Sequence, residues 1–136
     1  MTTLSTIASR FRKIAADLDA PKAYCVFRTM PQHDGSRHCE YDGTTYSYIT
    51  SERGELFDQQ HTTDADELLF WLVADMSRSI AADYELSHRD ENSSVDSRLA
   101  MFDHHVALLA KVNESWAVRQ RQHYDSVLAD HPANSG

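Results

Sequence analysis

The chain has 136 residues, of which 41% are hydrophobic and 25% charged, and its formal net charge is −8. This composition is that of an ordinary globular protein and argues against a disordered chain or a membrane protein. The negative charge repels phosphate groups, so it argues against nucleic acid and anionic membranes as partners. The length predicts a single globular domain over residues 1–132, followed by a flexible tail at 133–136.

The negative charge is concentrated in the middle of the chain. Residues 40–91 carry thirteen Asp and Glu against three Arg, whereas residues 1–39 carry six basic against three acidic side chains. A segment of this charge would attract a basic protein partner. The alternative is that these carboxylates are solvated faces of helices, as most acidic runs are.

No segment has the sequence of a targeting or membrane-spanning element. The longest strongly apolar run, residues 68–74, is far shorter than the roughly 20 residues that a spanning helix needs. Residues 1–12 lack the apolar core and cleavage site of a secretory signal. We therefore expect a cytoplasmic protein in which both cysteines, Cys25 and Cys39, are free thiols.

The first elements are a helix and a strand. Apolar residues at spacings of three and four predict a helix from about Thr3 to Asp19, which Pro21 ends. Residues 22–28 are rich in β-branched and aromatic side chains and predict a strand. The polar segment at 31–37 predicts a loop.

Two turn signals then predict a small antiparallel sheet. Asp42-Gly43 predicts a tight two-residue turn between strands at 39–41 and 44–51, because these residue types adopt positive φ readily. Tyr46 and Tyr48 should share one face of the second strand with Thr50. A second turn at Arg53-Gly54 leads into a strand at 55–60, which gives three or four strands in all.

The strongest helical signal runs from about Asp64 to His88. An apolar residue recurs every four positions, at Leu68, Leu72, Met76, Ile80 and Tyr84, and this row predicts the buried face. A capping box formed by Thr63 with Asp66, or by Asp64 with Glu67, predicts where the helix begins.

Two further helices follow this one. The first extends from Val95 to Val112 and ends at Asn113, and the second begins near Glu114 and stops before Pro132. The fold class is therefore α+β: an N-terminal helix, a small antiparallel β-meander of three to four strands, and three C-terminal helices packed on it.

Motifs for catalysis, cofactors or metals are hard to find in this sequence. His33, His38, Cys39 and Cys25 could be imagined as zinc ligands, but their spacing matches no structural zinc pattern, so we expect no metal and no cofactor. His104 and His105 are consecutive on a helix and point about 100° apart, so at most one faces the core.

Three carboxylates on the long helix are better explained by a structural role than by catalysis. Asp75, Asp83 and Glu85 lie on or beside its apolar row, where burial favours pairing with an arginine over catalysis. The candidate partners, in ion pairs between helices, are Arg78, Arg89 and Arg98.

An ordered series of segments runs from residue 46 to residue 132, and the similarity that it carries covers about residues 22 to 132. It comprises Tyr46–Gly54, Asp66–Leu72 with Asp75, Tyr84–Leu86 with Arg89, Asp96–Arg98, Phe102, Leu108-Leu109, Trp116 and His131-Pro132. In order and spacing this series resembles the immunity protein 63 family of bacterial polymorphic toxin systems. Two departures are Ser97, where the family leads us to expect a second Arg, and Asp103-His104-His105, which is richer in histidine.

The resemblance implies a cytosolic immunity protein, and not an enzyme, that binds and neutralises one cognate toxin. Its partner would be a toxin effector domain with a basic cleft, which an acidic surface would complement. From charge and the absence of motifs we expect no cofactor, no nucleic acid and no membrane partner, and we expect a monomer or weak homodimer.

We predict that the partner-binding surface lies between residues 31 and 58. The candidate residues are Asp34, Tyr41, Asp42, Tyr46, Tyr48, Glu52, Glu55 and Asp58. Tyrosines surrounded by carboxylates suit an interface, because aromatic anchors commonly carry binding energy. The alternative is that Tyr46 and Tyr48 pack beneath the long helix.

Two other function classes compete with this one. The first is a small hydrolase that uses carboxylates near Asp75 and Glu85, which a deep polar pocket around them would support. The second is a structural or adaptor subunit of a homo-oligomer. Finding a monomer in solution would exclude this second function.

Overall fold

A computed structural model describes residues 2–89 and 96–132. Its elements are α1 (Leu4–Asp17), a short 3₁₀ helix (Lys22–Tyr24), β1 (Asp34–Tyr41), β2 (Tyr46–Glu52), β3 (Glu55–Thr62), α2 (Ala65–Ser87), α3 (Ser97–Ala110) and α4 (Glu114–Asp130). The predicted α+β order, a helix, an antiparallel sheet and three helices, is confirmed. Val95 of the predicted third helix and the predicted tail at 133–136 lie outside the described residues.

The chain forms two compact units, one that ends at Val73 and one that begins at Ala74. Helix α2 runs through this boundary. The single domain over residues 1–132 stays a prediction. In the described part of the chain, no helix is long and apolar enough to cross a membrane.

Helix α1 has the apolar face that its spacing predicts. Thr3 caps it, because its hydroxyl accepts a hydrogen bond from the backbone N–H of Thr6 at 3.2 Å. The predicted face is confirmed, and the residues buried along it are Ile7, Ala8, Phe11 and Ala15.

The strand predicted at residues 22–28 is wrong. The backbone N–H groups of Tyr24 and Cys25 donate to the carbonyl groups of Pro21 and Lys22, at 2.9 and 3.1 Å, and so close a 3₁₀ turn. These local bonds use N–H groups that a strand would direct to a neighbouring strand. β-Branched and aromatic composition therefore misled the prediction.

The three strands form one antiparallel sheet in the order β1-β2-β3. The loop predicted at 31–37 is wrong from Asp34 onward, because β1 begins there with an irregular register as far as Arg37. The Asp34 carboxylate accepts hydrogen bonds from the backbone N–H and hydroxyl of Ser36, and Gly35 has φ +87°. A bulge of this kind accommodates polar residues inside a strand.

The turn between β1 and β2 differs in detail from the prediction. Tyr41 pairs with Tyr46, so four residues connect the strands, where a two-residue Asp42-Gly43 turn was expected. The Asp42 carboxylate accepts hydrogen bonds from the N–H groups of Thr44 and Thr45, at 2.9 and 2.7 Å. Asp42 therefore closes the turn through its side chain, and Gly43 takes the positive φ, +98°.

The second predicted turn is confirmed. Glu52 pairs with Glu55, and the two connecting residues, Arg53 and Gly54, have φ values of 53° and 81°. Two consecutive positive φ values are the geometry of a type I′ hairpin turn, whose twist matches that of the flanking strands.

Helix α2 begins where the sequence predicts. The Asp64 carboxylate accepts the N–H of Asp66 at 2.9 Å, while the N–H of Asp64 donates to the hydroxyl of Thr62 at 3.0 Å. Asp64 is thus the capping residue. Leu68 and Val73 of this helix are completely buried.

The predicted row of every fourth residue along α2 is right at its start and wrong at its end. Leu68, Leu72 and Met76 are buried, but Tyr84 is 38% exposed. Four residues turn a helix by about 400°, so the row drifts by about 40° at each step. Ser77, Ala81 and Glu85 are the residues buried along the later turns.

In the second unit, α3 and α4 lie against each other. The Asn113 side chain accepts hydrogen bonds from the N–H groups of Ser115 and Trp116 and caps α4, so the helix boundary predicted at Asn113 is confirmed. The Phe102 ring stacks on Tyr124 with 3.7 Å between centroids. Of the two consecutive histidines, His105 is buried and His104 is half-buried, as the helical geometry predicts.

Candidate functional site

Three of the predicted partner-binding carboxylates meet at one end of the sheet. Asp34 of β1 pairs with Glu52 of β2, which pairs in turn with Glu55 of β3. All three side chains are exposed. We call these three residues the acidic end.

The acidic end works against folding in two ways. Like charges directly opposite each other across neighbouring strands are destabilising. In addition, Arg53 adopts a left-handed conformation between the two glutamates, which costs roughly 1 kcal/mol for a residue other than glycine. The hydroxyl and N–H of Ser36 lower the pKa of Asp34, so its carboxylate stays charged. Apart from the two hydrogen bonds that Asp34 accepts from Ser36 at the bulge, stability gives no reason for this arrangement.

The middle of the sheet carries a row of stacked side chains. The Arg37 guanidinium lies 4.9 Å from the centre of the Tyr48 ring, and that ring stacks on Trp71 of α2 at 6.4 Å. Arg37 also donates to Gln60 at 3.1 Å and lies 3.5 Å from the carboxylate of Asp58. The charge of Asp58 is therefore already engaged by Arg37, although the Asp58 side chain is exposed.

The other end of the sheet is built on two tyrosines. The rings of Tyr41 and Tyr46 stack with 4.3 Å between centroids. The Tyr41 hydroxyl donates to the carbonyl of Gly43 at 3.0 Å, and the Tyr46 hydroxyl donates to the carbonyl of Thr2. Burial raises the pKa of Tyr46. Asp42, beside them, is exposed, and the N–H groups of Thr45 and Thr44 lower its pKa.

The second unit contains a buried polar network. The Ser77 hydroxyl donates to the carbonyl of Ala74 at 3.2 Å, so it accepts a hydrogen bond from Nε2 of His105 at 2.9 Å. His105 Nδ1 then accepts from the hydroxyl of Tyr124. Burial lowers the pKa of His105 to about 4 and raises that of Tyr124.

This network does not have the orientation of a catalytic pair. A serine nucleophile must donate its proton to a histidine nitrogen, whereas here the proton of Ser77 points to a backbone carbonyl. Ser77 and His105 are 0% and 1% exposed, so a substrate cannot reach them in this arrangement.

Two of the four side chains considered as zinc ligands, His38 and Cys39, are buried. Both cysteines are free, and burial of Cys39 raises the pKa of its thiol to about 12. His38 directs Nε2 to the carboxylate of Glu40 at 2.7 Å. Within residues 2–89 and 96–132, no group of three or more His, Cys, Asp or Glu side chains is placed to hold a metal ion.

A comparison with protein families gives the affiliation of the chain. The model of the family described as immunity protein 63 matches residues 42–126. The chain belongs to the immunity protein 63 family. No curated protein and no solved structure matches it significantly. The family makes this an immunity protein against a toxin, and a toxin its partner.

The family match extends from the first turn of the sheet into α4 and confirms the resemblance over that range. It includes the Glu52–Glu55 part of the acidic end and leaves out α1 and all of β1. Asp34 and Tyr41 of the predicted surface therefore lie outside the match.

The eight predicted binding residues of this immunity protein do not form one patch. Asp34, Glu52 and Glu55 lie at the acidic end, whereas Tyr41, Asp42 and Tyr46 lie at the other end of the strands. Six residue steps along β2 separate Tyr46 from Glu52, or about 20 Å. Tyr46 and Tyr48 are buried, 3% and 5% exposed, so they support the surface and do not form it.

Three features of the immunity protein were not predicted from sequence. These are the stacking of Arg37 on Tyr48, the network around His105, and the place of Asp64 and Asp66 beside the stacked tyrosines. The sequence signal for the network was a serine and a histidine on otherwise apolar helix faces. For Asp64, the signal was interpreted correctly as a helix cap but not as part of a surface.

Proposed function

We propose that this immunity protein binds its cognate toxin directly in the cytoplasm and neutralises it, and that the acidic end meets a basic region of the toxin. The observation that carries the proposal is the alignment of Asp34, Glu52 and Glu55 across three strands, all exposed. Their repulsion opposes folding, so a binding role accounts for them better than a structural one.

The spacing of these charges suits long-range attraction. Neighbouring strands lie about 4.8 Å apart, and the Debye length at physiological ionic strength is about 8 Å. Adjacent carboxylates of the acidic end therefore act on an approaching protein together. Complementary charge raises the association rate and selects against acidic competitors.

The hydrolase alternative finds less support. The Glu85 carboxylate is bound in bidentate fashion by Arg89, with both donor–acceptor distances at 2.8 Å, and this hydrogen bonding lowers its pKa. A catalytic acid needs a raised pKa and an open site. Arg89 was among the predicted partners of Glu85, but the expected pair between helices is wrong, because Arg89 follows Glu85 by four residues on the same segment.

The first test reverses one charge of the acidic end. Glu52→Lys should weaken protection against the cognate toxin and lower affinity roughly tenfold, because a favourable charge contact becomes repulsive. The variant should unfold at the same or a slightly higher temperature, since Lys opposite Glu55 replaces repulsion by attraction. Growth under toxin expression, calorimetric affinity and thermal melting measure these effects.

The matched control is Asp125→Lys, which makes the same charge change at an exposed position of α4. It should leave affinity and protection close to those of the unaltered protein. Equal protection by both variants would remove the acidic end from the interface. Asp42→Lys is a poor probe, because the Asp42 carboxylate closes the β1–β2 turn.

A further inference from the structure

A cleft of about 470 Å³ lies between the Tyr41–Tyr46 end of the sheet and the beginning of α2. Its lining consists of Thr2, Tyr41, Tyr46, Thr63, Asp64, Ala65 and Asp66. This volume is within the range of small-ligand sites, and it is ample for one long side chain. Every lining residue belongs to the first unit.

The aromatic wall of the cleft is fixed before any partner arrives. The two tyrosine rings stack within 10° of parallel, and each hydroxyl is held by a backbone carbonyl, Gly43 for Tyr41 and Thr2 for Tyr46. A wall held in this way loses little freedom on binding. The face of a tyrosine ring attracts cations, and arginine most often.

The other wall carries two exposed carboxylates, Asp64 and Asp66. Asp66 accepts a hydrogen bond from the Arg10 guanidinium at 2.9 Å, so one guanidinium already binds at the edge of the cleft. Both members of this pair are exposed, 47% and 68%, and such pairs add little stability. A second cation can therefore share or displace Arg10 at low cost.

The sign of the net charge around the cleft determines whether it favours a cation or an anion. The N-terminus of α2 contributes about half a positive charge, which alone would favour an anion. Two full carboxylate charges outweigh this half charge together with Arg10. The Asp64 charge also reaches the aromatic wall, because it adds to the effect of burial in raising the pKa of Tyr46.

We propose that this cleft receives an arginine side chain of the toxin, with its guanidinium against the ring of Tyr41, which the buried Tyr46 supports, and hydrogen-bonded to Asp64 and Asp66. This inference rests on the proposed function and adds a second contact to the acidic end. Arginine fits better than lysine, because its planar group can stack on an aromatic ring and bind carboxylates in bidentate fashion.

A first experiment tests the cleft without the toxin. The full chain, labelled with ¹⁵N, is titrated with the peptide Ac-Gly-Arg-Gly-amide and followed by two-dimensional NMR, and the neutral citrulline peptide serves as the ligand control. Shifts caused by the arginine peptide should be confined to the residues around Tyr41 and Asp64, and the citrulline peptide should bind about fivefold more weakly.

Asp64→Asn is the matched protein variant, because Asn caps a helix as well as Asp does and removes only the charge. It should weaken binding of the arginine peptide about fivefold, whereas Asp125→Asn should not change it. Equal binding of the citrulline peptide, shifts scattered over the acidic surface, or preference for Ac-Gly-Glu-Gly-amide would each overturn the proposal.

A second experiment uses the toxin. Asp64→Asn and Tyr41→Leu should each lower its affinity by about tenfold, with the folded state confirmed by melting. Toxin affinity unchanged in both variants would show that the cleft lies outside the interface, while the proposed function would stand. If the unaltered protein binds no toxin, the proposed function and the toxin assignment both fail, and the peptide titration alone decides whether the cleft binds guanidinium.

Discussion

At the scale of single residues, the network around His105 favours a neutral imidazole. The chain of donors runs from the Tyr124 hydroxyl through His105 and the Ser77 hydroxyl to the carbonyl of Ala74. Every donor in it has an acceptor as long as His105 is neutral. A second proton, on Nδ1 of His105, would point at the Tyr124 hydroxyl. That hydroxyl would then have to accept the hydrogen bond instead of donating it. Nearby Arg78 and His104 also oppose a charge at this position.

This arrangement predicts a loss of stability in mild acid. The pKa of His105 is about 4 in the folded state, mainly because of burial, and about 6.5 in an unfolded chain. The unfolded state therefore binds more protons between these values, and stability that is complete above pH 6.5 falls as the pH drops towards 4. The expected loss is roughly 2 kcal/mol between pH 6.5 and 5, measured by urea unfolding.

The control is His105→Gln, measured over the same pH range. Gln does not titrate, so the variant is less stable at pH 7 but should show a much smaller change between pH 6.5 and 5. Similar pH slopes in both proteins would contradict the assignment to His105. The range stops at pH 5 because most carboxylates begin to titrate below it.

At the scale of elements, the turn between β2 and β3 holds a residue ill suited to its backbone. Arg53 has φ 53°, whereas Asn adopts this conformation more readily and is common at this position of type I′ turns. Arg53→Asn should raise the free energy of unfolding by about 0.5–1 kcal/mol. The backbone N–H of residue 53, which donates to the carbonyl of His33 at 3.0 Å, is retained.

Thermal and urea unfolding measure this gain, with Arg53→Lys as the control. Lys keeps the charge and has the same difficulty with positive φ, so its stability should match that of the unaltered protein. An Asn variant no more stable than the Lys variant would mean that the left-handed conformation costs little here.

The helices and the second hairpin turn could be predicted from sequence because their signals are local. The spacing of apolar residues in α1, the cap at Asp64 and the Arg53-Gly54 pair each act within a few residues. Strands depend on distant partners, and this explains both errors in the sheet. Residues 22–28 have strand composition but form a 3₁₀ turn at Lys22–Tyr24 followed by irregular chain, and β1 begins at the polar Asp34 because β2 lies beside it.

The same physical reason limits prediction of the site. Glu52 and Glu55 could be placed together, since two residues separate them in a recognisable turn. The position of Asp34 opposite Glu52 depends on an irregular register, and a slip of one residue would turn its side chain to the other face. The cleft was missed because it joins the N-terminus, two strands and the cap of α2, which are far apart in sequence.

At the scale of the whole molecule, charge is distributed unevenly along the chain. Of its 21 carboxylates, thirteen lie within residues 40–91, which contain β2, β3 and α2. The net charge of −8 gives a long-range attraction to any basic protein, and the acidic end adds a local field at one place on the surface. These two contributions can be separated by experiment, because the same change in net charge can be made either at the acidic end or elsewhere on the surface.

The last prediction concerns the rate of association with the toxin. If charge steers the encounter, the rate constant should fall about tenfold or more as ionic strength rises from 0.01 to 1 M, because the Debye length shrinks from about 30 to 3 Å.

The double variant Glu52→Lys/Glu55→Lys should show a much flatter dependence of this rate constant on ionic strength. Asp125→Lys/Asp130→Lys makes the same change in net charge on α4 and should keep most of the slope, because these exposed residues lie outside the acidic end. Stopped-flow mixing measures all three. A rate that does not depend on salt would rule out steering, and equal flattening in both double variants would assign it to net charge alone.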